Sequence, residues 1–195
     1  MSVVLGQVAY EPIAIWRTER EGAPAMERFP EAATQTFKNG TPLTLSSGYL
    51  VAAAFSGADI VYGVSSEPAH NLAVSGTAQQ LSEGTAQNQA SSVITPIGAW
   101  MRDGKIGLYR ANDENIFSAS LKAGEVFTQA LIVNPATLYG LTKDNTSGFW
   151  YVDNTDTSGN NAVVQLLGVD PSCPNTVAGG CRVFFKFAPS KRFFI

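Results

Sequence analysis

The sequence predicts an all-β fold: an antiparallel β-sandwich or β-barrel with an extended N-terminal arm and few or no long helices. Short apolar segments recur at close spacing along the chain, as is typical of such folds. Turn signals such as Asn39 followed by Gly40 separate them, because both residues tolerate the backbone of a tight turn. No long stretch has the 3.6-residue period of an amphipathic helix. With 195 residues, 45% of them hydrophobic, the chain is long and apolar enough for one globular domain with appendages.

The N-terminal segment differs from the rest in composition. It mixes acidic and basic side chains and contains three prolines, which break any long helix. A frayed, solvated terminus is one interpretation. Because Ile13, Ile15 and Trp16 are costly to leave in water, we favour an arm that docks on its own domain or on a neighbour. The predicted organisation is an extended arm at residues 1–33 and a β-rich body at residues 34–195, with a loop insertion at residues 73–92.

The body begins with a predicted meander at residues 37–64. Leu43 and Leu45 share one face of a strand, and the apolar run at residues 49–55 suits a strand buried on both faces. Gly63 lies inside the next strand, residues 60–64, which indicates a bulge or a close backbone approach. Further strands are predicted at residues 93–97, 106–110, 116–121, 125–133, 149–152, 162–169 and 182–187.

Two of these segments lead to specific expectations. In residues 116–121 the alternation places Phe117 and Leu121 on a buried face, with Ser118 and Ser120 on the opposite, solvated face. The insertion at residues 73–92 consists largely of Ala, Gln, Ser, Thr and Gly, so we expect a long surface loop with a short helix around residues 78–81.

The charge distribution restricts the classes of partner. The net charge is -3, and no Lys or Arg occurs between Lys38 and Arg102, so we expect no nucleic-acid partner. Charged residues are only 15% of the chain, against about 25% in a typical protein, which suggests that a partner covers part of the surface. No apolar run approaches the roughly 20 residues that span a bilayer, and the N-terminus lacks the basic start of a secretory signal. These features predict a soluble protein made in the cytoplasm, with no membrane partner.

A catalytic interpretation would have to start from His70, the sole histidine. Ser65 or Ser66 with Asp59 would complete a triad, but the chain has no G-x-S-x-G elbow, and a lone histidine at a strand end is usually a solvated loop residue. We therefore expect no enzyme and no cofactor.

Asp153 and Asp156 form an acidic pair in the body, which offers two carboxylates in the manner of a glycosidase. The surrounding sequence DNTDTSGNN is better explained by turn formation, because Asp and Asn bond to their own backbone. It also departs from the calcium-loop pattern at Thr155 and Thr157. A zinc site would need more ligands than two cysteines and one distant histidine, so no metal is expected.

The two cysteines, Cys173 and Cys181, flank the segment CPNTVAGGC. A loop of this length closes into a disulfide if the flanking chain brings the α-carbons to about 5.5 Å. Two free thiols in a reducing cell are the alternative, and both interpretations stay open.

Three segments of strand-and-turn sequence, FKNGTPLTLSSGYLVAA, IVYGVSSEPA and GFWYVDNTD, resemble the small β-rich decoration (cement) proteins of tailed bacteriophage heads. The resemblance covers roughly residues 34–195. It implies a non-enzymatic virion protein that is assembled in the host cytoplasm, sits on the capsid surface, forms a homo-trimer and bridges major capsid protein subunits. Two other classes remain: another virion β-module, such as a head fibre base or a tail protein, and a carbohydrate-binding host-adhesion domain.

Each class makes different residues candidates for contact. A capsid or subunit interface would use apolar and cationic residues at the two ends of the chain, where the arm and the tail extend. A host-adhesion domain would use exposed aromatics near Trp100, Trp150 and Tyr151. The candidates for the capsid or subunit interface are Ile13, Ile15, Trp16, Arg17, Arg192, Phe193, Phe194 and Ile195.

Overall fold

A computed structural model of the chain describes residues 10–19, 22–55, 59–77, 79–81, 100–171 and 181–193. Strands dominate this part of the chain and its helices are single turns, which confirms the all-β class. The helix α1 spans Ala130–Val133, and a 3-10 helix spans Pro189–Lys191. The strands are β1 (Ala14–Thr18), β2 (Met26–Pro30), β3 (Pro42–Ser46), β4 (Tyr49–Ala52), β5 (Gly63–Ser65), β6 (Gln79–Leu81), β7 (Trp100–Arg102), β8 (Lys105–Arg110), β9 (Asn115–Leu121), β10 (Tyr139–Lys143), β11 (Trp150–Asp153), β12 (Ala162–Val169) and β13 (Arg182–Phe187).

The first sheet closes into a small barrel. Its strand order is β1-β9-β11-β10-β12-β13, and β13 pairs back onto β9, so the last five strands form a ring. All pairs are antiparallel except β9 with β11. Strand β1 pairs with the first half of β9 and β11 with its last residues. No helix in the described part of the chain has the length and hydrophobicity required to cross a membrane.

Aromatic side chains fill the barrel. Phe117, Phe185 and Phe187 are fully buried, with ring centroids 5.5–5.9 Å apart. Strand β13 alternates as its sequence indicates, with Val183, Phe185 and Phe187 buried inside the barrel. Strand β9 departs from its predicted alternation, because Ser118 and Ser120 are buried too. The side chain of Arg182 lies against the outer face at Ser118 and donates to its hydroxyl at 2.9 Å.

The second sheet has the order β2-β8-β5-β3-β4, and its two edges meet. Glu31, which follows β2, forms a parallel bridge with Leu50 of β4, and the N–H of Ala32 donates to the carbonyl of Leu50 at 3.0 Å. At Gly63 in β5, a Cβ would lie 2.4 Å from the carbonyl oxygen of Tyr109, which confirms the predicted close backbone approach. The side chains buried inside this sheet are Phe37, Leu43, Leu50, Tyr62, Ile106 and Leu108.

One hydrophobic core joins the two sheets. Phe55 and Val64, from the second sheet and the segment before it, belong to the same buried cluster as the barrel interior. The ring of Phe55 meets the ring of Trp150 edge to face at 5.3 Å. Because buried apolar contact is the dominant stabilising term in a fold, the sheets stabilise each other.

The predicted arm contributes strands to both sheets. Residues 14–18 form β1 on the barrel, and residues 26–30 form β2 in the second sheet. Ile13 is only 3% exposed and lies in the shared core. These stretches therefore dock on the chain's own domain, one of the two possibilities that the sequence left open for the arm, because their apolar side chains and backbone groups are satisfied within the chain. Residues 1–9, 20 and 21 lie outside the described residues.

Two segments have a secondary structure different from the one that the sequence predicts. Gln79–Leu81 forms strand β6, paired with β7, where a short helix was expected. In the segment at 125–133 the strand interpretation fails, because its last four residues form α1. A short apolar run has no periodicity that separates a strand from a buried helical turn. Most of the insertion at 73–92, from residue 82 onward, and the strand predicted at 93–97 lie outside the described residues.

Candidate interaction surface

A β-bulge at Trp16 lets two successive residues of β1, Trp16 and Arg17, face outward. In the pairing of β1 with β9, Ile15 lies opposite Phe117 and Arg17 lies opposite Ile116, so Trp16 is the extra residue. A bulge of this kind breaks the strict alternation and re-aims a side chain. Trp16 is 43% exposed.

The Trp16 ring is held on both of its faces. Phe184 stacks on one face with 3.8 Å between ring centroids and 15° between planes. The guanidinium carbon of Arg17 lies 4.1 Å from the indole centroid, which places it over the other face. Within the described residues Arg17 has no ion pair, so it presents a net positive charge beside the aromatic pair. Phe184 itself is buried beneath the indole.

A second bulge lies on the other side of Phe184. In the pairing of β12 with β13, Leu166 lies opposite Phe185 and Gly168 opposite Phe184, so Leu167 is the extra residue and is 37% exposed. We call Trp16, Arg17, Leu167 and Phe184 the barrel surface.

The cations beside the barrel surface are neutralised. Arg182 of β13 donates to Glu11 at 2.7 Å and to the carbonyl of Ser118 at 2.8 Å. Lys186 of the same strand pairs with Glu19 at 2.5 Å. This leaves Arg17 as the cation of the barrel surface that is available to an acidic partner.

The C-terminal tail packs against the second sheet. Val61 and Arg192 form a parallel bridge, and the N–H of Phe193 donates to the carbonyl of Val61 at 3.0 Å. Arg192 is buried and pairs with Asp113, whereas Phe193 is 55% exposed. Beside Phe193 a groove of about 290 Å³ is lined by Thr44, Leu45, Asp59, Ile60 and Phe193, and we call it the tail groove.

Some of the residues predicted for the interface lie inside the fold, and others lie at its surface. Ile13 lies in the core and Ile15 packs against it, while Arg192 is buried, so these three make contacts within the chain. Ile13 and Ile15 are two residues apart and share the inward side of the strand, whereas Arg192 pairs with Asp113. A role of these three residues at a capsid or subunit interface stays a prediction. Trp16, Arg17 and Phe193 are exposed. Phe194 and Ile195 lie outside the described residues.

The residues considered for a catalytic triad have other partners. His70 lies between two carboxylates, with Nδ1 3.0 Å from Glu31 and Nε2 3.6 Å from Glu67. The hydroxyl of Ser65 donates to the carbonyl of Lys38 at 3.2 Å, and that of Ser66 contacts the sulfur of Met26. The expectation that His70 is solvated was wrong, because its side chain is only 7% exposed. Sequence reasoning missed Glu31 and Glu67 since no motif connects them to His70.

The acidic pair forms turns. The Asp153 carboxylate accepts the backbone N–H of Thr155 at 3.0 Å and pairs with Lys122 at 2.9 Å. Burial raises the pKa of the Asp153 carboxyl, but the bonds from Thr155 and Lys122 outweigh it and the pKa is lowered. Asp156 accepts the side-chain amide of Asn161 at 2.5 Å. In the described part of the chain no three His, Cys, Asp or Glu side chains form a group that could hold a metal ion.

The aromatics considered for sugar binding are covered where they are described. Trp150 is buried in the core. The ring of Tyr151 stacks on Tyr10 with centroids 4.6 Å apart. The side chain of Trp100 lies outside the described residues. Trp150 therefore offers no open face to a sugar, and Tyr10 covers one face of the Tyr151 ring.

Cys181 is buried and disulfide-bonded. Cys173 lies outside the described residues, so its predicted bond to Cys181 stays a prediction.

The geometry therefore offers an exposed aromatic and cationic surface on the barrel and a groove at the tail, both suited to macromolecular contact. Comparisons with protein-family models, with curated proteins and with solved structures find no match to this chain.

Proposed function

We propose that this chain is a structural virion protein that binds the outer surface of a phage capsid and stabilises the shell by bridging major capsid protein subunits. The proposal starts from the likeness of its sequence to head decoration proteins. The observation that carries it is the barrel surface, where Trp16 is 43% exposed although it is clamped between Phe184 and Arg17. A rigid, half-exposed indole beside a cation is typical of the residues that dominate protein interfaces.

The architecture suits a bridging role. Two sheets that share one core form a stiff body, so a force applied at one surface is transmitted to the other. The barrel surface lies on the first sheet and the tail groove beside the second, which gives the body two separate contact regions. One region would meet the capsid and the other a neighbouring capsid subunit or a second copy in the homo-trimer.

The composition fits repeated weak contacts. With only 15% charged residues the surface lacks the dense charge that keeps proteins apart. A single exposed aromatic cluster binds weakly, but a symmetric shell repeats it many times, and linked contacts gain affinity through effective concentration. Arg17 would select an acidic patch on the capsid subunit.

Capsid co-sedimentation tests the proposal. Capsids assembled from the major capsid protein of the same genome, without this chain, are mixed with the purified protein and pelleted. We expect saturable binding and a higher temperature of capsid disruption. The double variant Trp16→Ala, Arg17→Ala should bind at least tenfold more weakly, whereas Val133→Ser, at an exposed site on α1, should bind normally.

Three outcomes would contradict the proposal. They are failure to bind capsids, absence from purified virions, and binding that is the same for the double variant and wild type. Electron microscopy that places the chain on the tail or at a fibre base would support the other virion β-module instead. Binding to a glycan array without capsid binding would support host adhesion.

A further inference from the structure

Five charged groups form an alternating chain through the second sheet. It starts at the buried carboxylate of Glu31, whose Oε2 lies 3.0 Å from Nδ1 of His70, and Nε2 of His70 lies 3.6 Å from Glu67. Glu67 in turn pairs with Arg28 at 3.2 Å, and Arg28 pairs with Asp103 at 2.9 Å. With a protonated imidazole the signs alternate without a break, and we call these five residues the charge chain.

The inner end of the charge chain is sealed from water. Glu31 is 0% exposed, and its Oε1 accepts the backbone N–H of His70 at 2.8 Å. A buried ionised carboxylate is strongly destabilising unless a cation or several hydrogen bonds compensate it. The His70 imidazole is the ionisable group that lies against Oε2.

The protonation state of His70 decides whether both of its carboxylate contacts are attractive. The imidazolium carries a positive charge, so it attracts the carboxylate of Glu31 beside Nδ1 and that of Glu67 beside Nε2. A neutral ring has one proton, and its second nitrogen would turn a lone pair toward a carboxylate. The interaction with His70 lowers the pKa of the Glu67 carboxyl more than burial raises it.

Glu31 also lies where the two edges of the second sheet meet, between the end of β2 and Leu50 of β4, and we call this junction the seam. The backbone N–H of Glu31 donates to the carbonyl of Gly104 at 2.9 Å, and its carbonyl accepts the N–H of Gly76 at 2.7 Å. Its bridge to Leu50 joins the end of β2 to β4. One residue therefore connects the closing edges of the sheet with two loops, and its side chain ends on His70.

We propose that His70 is protonated in the folded chain at neutral pH and is the cation that holds this seam closed, so that loss of its proton in mildly alkaline solution loosens the seam. The charged groups that face it are Glu31 from the end of β2 and Glu67 from its own loop, with Arg28 and Asp103 behind Glu67. The imidazolium stabilises the fold fully below about pH 6.5, where the histidine of an unfolded chain is protonated too. This stabilisation is lost as the pH rises and the folded imidazole releases its proton.

The sole histidine makes a direct test possible by NMR. A single imidazole Cε1–H signal is followed from pH 5 to pH 10 in the full chain, with the urea-unfolded chain as reference. We expect the folded signal to keep its protonated position at pH 7.5. Its later deprotonation should coincide with at least tenfold faster amide exchange at Ala32 and Gly76 than pH alone produces, while Phe185 in β13 stays protected. A neutral imidazole at pH 7.5, or deprotonation without faster exchange at the seam, would overturn the proposal.

Variants that remove one carboxylate at a time show how much each contact contributes to the titration midpoint of His70. Glu31→Gln removes the carboxylate nearest the ring and should lower the titration midpoint of His70 most. Glu67→Gln acts across the longer, more exposed contact and should lower the midpoint less, and Asp103→Asn should have the smallest effect. If Glu31→Gln does not fold, Glu67→Gln still decides the question, because a midpoint that stays at its wild-type value contradicts a shared imidazolium.

Discussion

The indole of Trp16 lies flat on the ring of Phe184, with centroids 3.8 Å apart, although the two residues come from strands at opposite ends of the chain. The bulge in β1 adds Arg17 to this pair, because strict alternation from the inward Ile15 would turn Arg17 inward and away from the indole. Trp16 thus covers the barrel wall at Phe184 while part of its own surface stays exposed.

Replacing Trp16 by Ala should lower stability moderately. The variant loses an aromatic pair, worth about 1 kcal/mol beyond its area, and exposes Phe184 to water. We expect the free energy of unfolding to fall by about 1 to 2 kcal/mol, measured by urea titration with far-ultraviolet circular dichroism. The control Val133→Ala, at a residue that is 73% exposed, should change it by about 0.5 kcal/mol or less. Equal losses in both variants would show that Phe184 does not depend on the indole.

Gly63→Ala should be far more damaging than its position in a short strand suggests. Its Cβ would lie 2.4 Å from the carbonyl oxygen of Tyr109 and 2.5 Å from a methyl of Leu108, and β5 cannot move without breaking its pairing with β8. We expect a loss of about 3 kcal/mol or more, measured by thermal and urea unfolding. Gly168→Ala is the matched control, because its nearest atom lies at an ordinary 3.9 Å, and it should be nearly neutral. Similar stabilities for the two variants would contradict this account.

The later part of the fold was largely predictable from the sequence. Strands β12 and β13 have the bounds that alternation and flanking turn residues predict. Strands β1 and β2 were not placed in sheets, because their partners, β9 and β8, lie far away in the chain and no local pattern encodes that pairing. Closure of either sheet is likewise a property of the assembled fold.

The candidate site was predictable only in part. The sequence singles out Trp16 together with Ile13 and Ile15 because these apolar side chains are costly to leave in water, and Arg17 belongs to the same arm. The bulge that aims them and the contact with Phe184 need the tertiary structure. The charge chain was missed for the same reason: Glu31 is 39 residues from His70, and an acidic residue in a charged segment gives no sign that it will be fully buried.

Deleting residues 1–33 should abolish folding. The deletion removes β1, β2 and Glu31, and it takes Ile13 out of the shared core. We expect the truncated chain to give a collapsed amide NMR spectrum and no cooperative urea transition. In the full chain, Ile13→Ala should cost about 2 to 5 kcal/mol while leaving the spectrum dispersed. A dispersed spectrum from the truncated chain would restore the interpretation of this segment as a separable arm.

We expect acid to destabilise the fold, partly because it protonates the two carboxylates that pair with Arg28. Its hydrogen bond with Asp103 is the first cause that lowers the pKa of the Asp103 carboxyl, and the pKa of Glu67 is lowered chiefly by His70 and further by Gly107 and Arg28. Carboxyls whose pKa is lower in the folded state contribute stability above the pKa of the unfolded chain, about 4, and lose it as the pH falls through the folded value. We therefore expect stability to hold from pH 7 to pH 5 and to fall below pH 4.

The variant Arg28→Met isolates this contribution. Its urea midpoint should fall less steeply between pH 5 and pH 3 than that of wild type, because the two carboxyls then titrate closer to their unfolded values. Since Arg28 and Asp103 are both more than a third exposed, solvent screens the pair, and the difference at pH 7 should be about 1 kcal/mol or less. Lys143→Met removes an exposed cation that has no ion pair among the described residues and should keep the wild-type slope. If both variants show the same acid slope as wild type, the lowered carboxyl pKa values do not arise from Arg28.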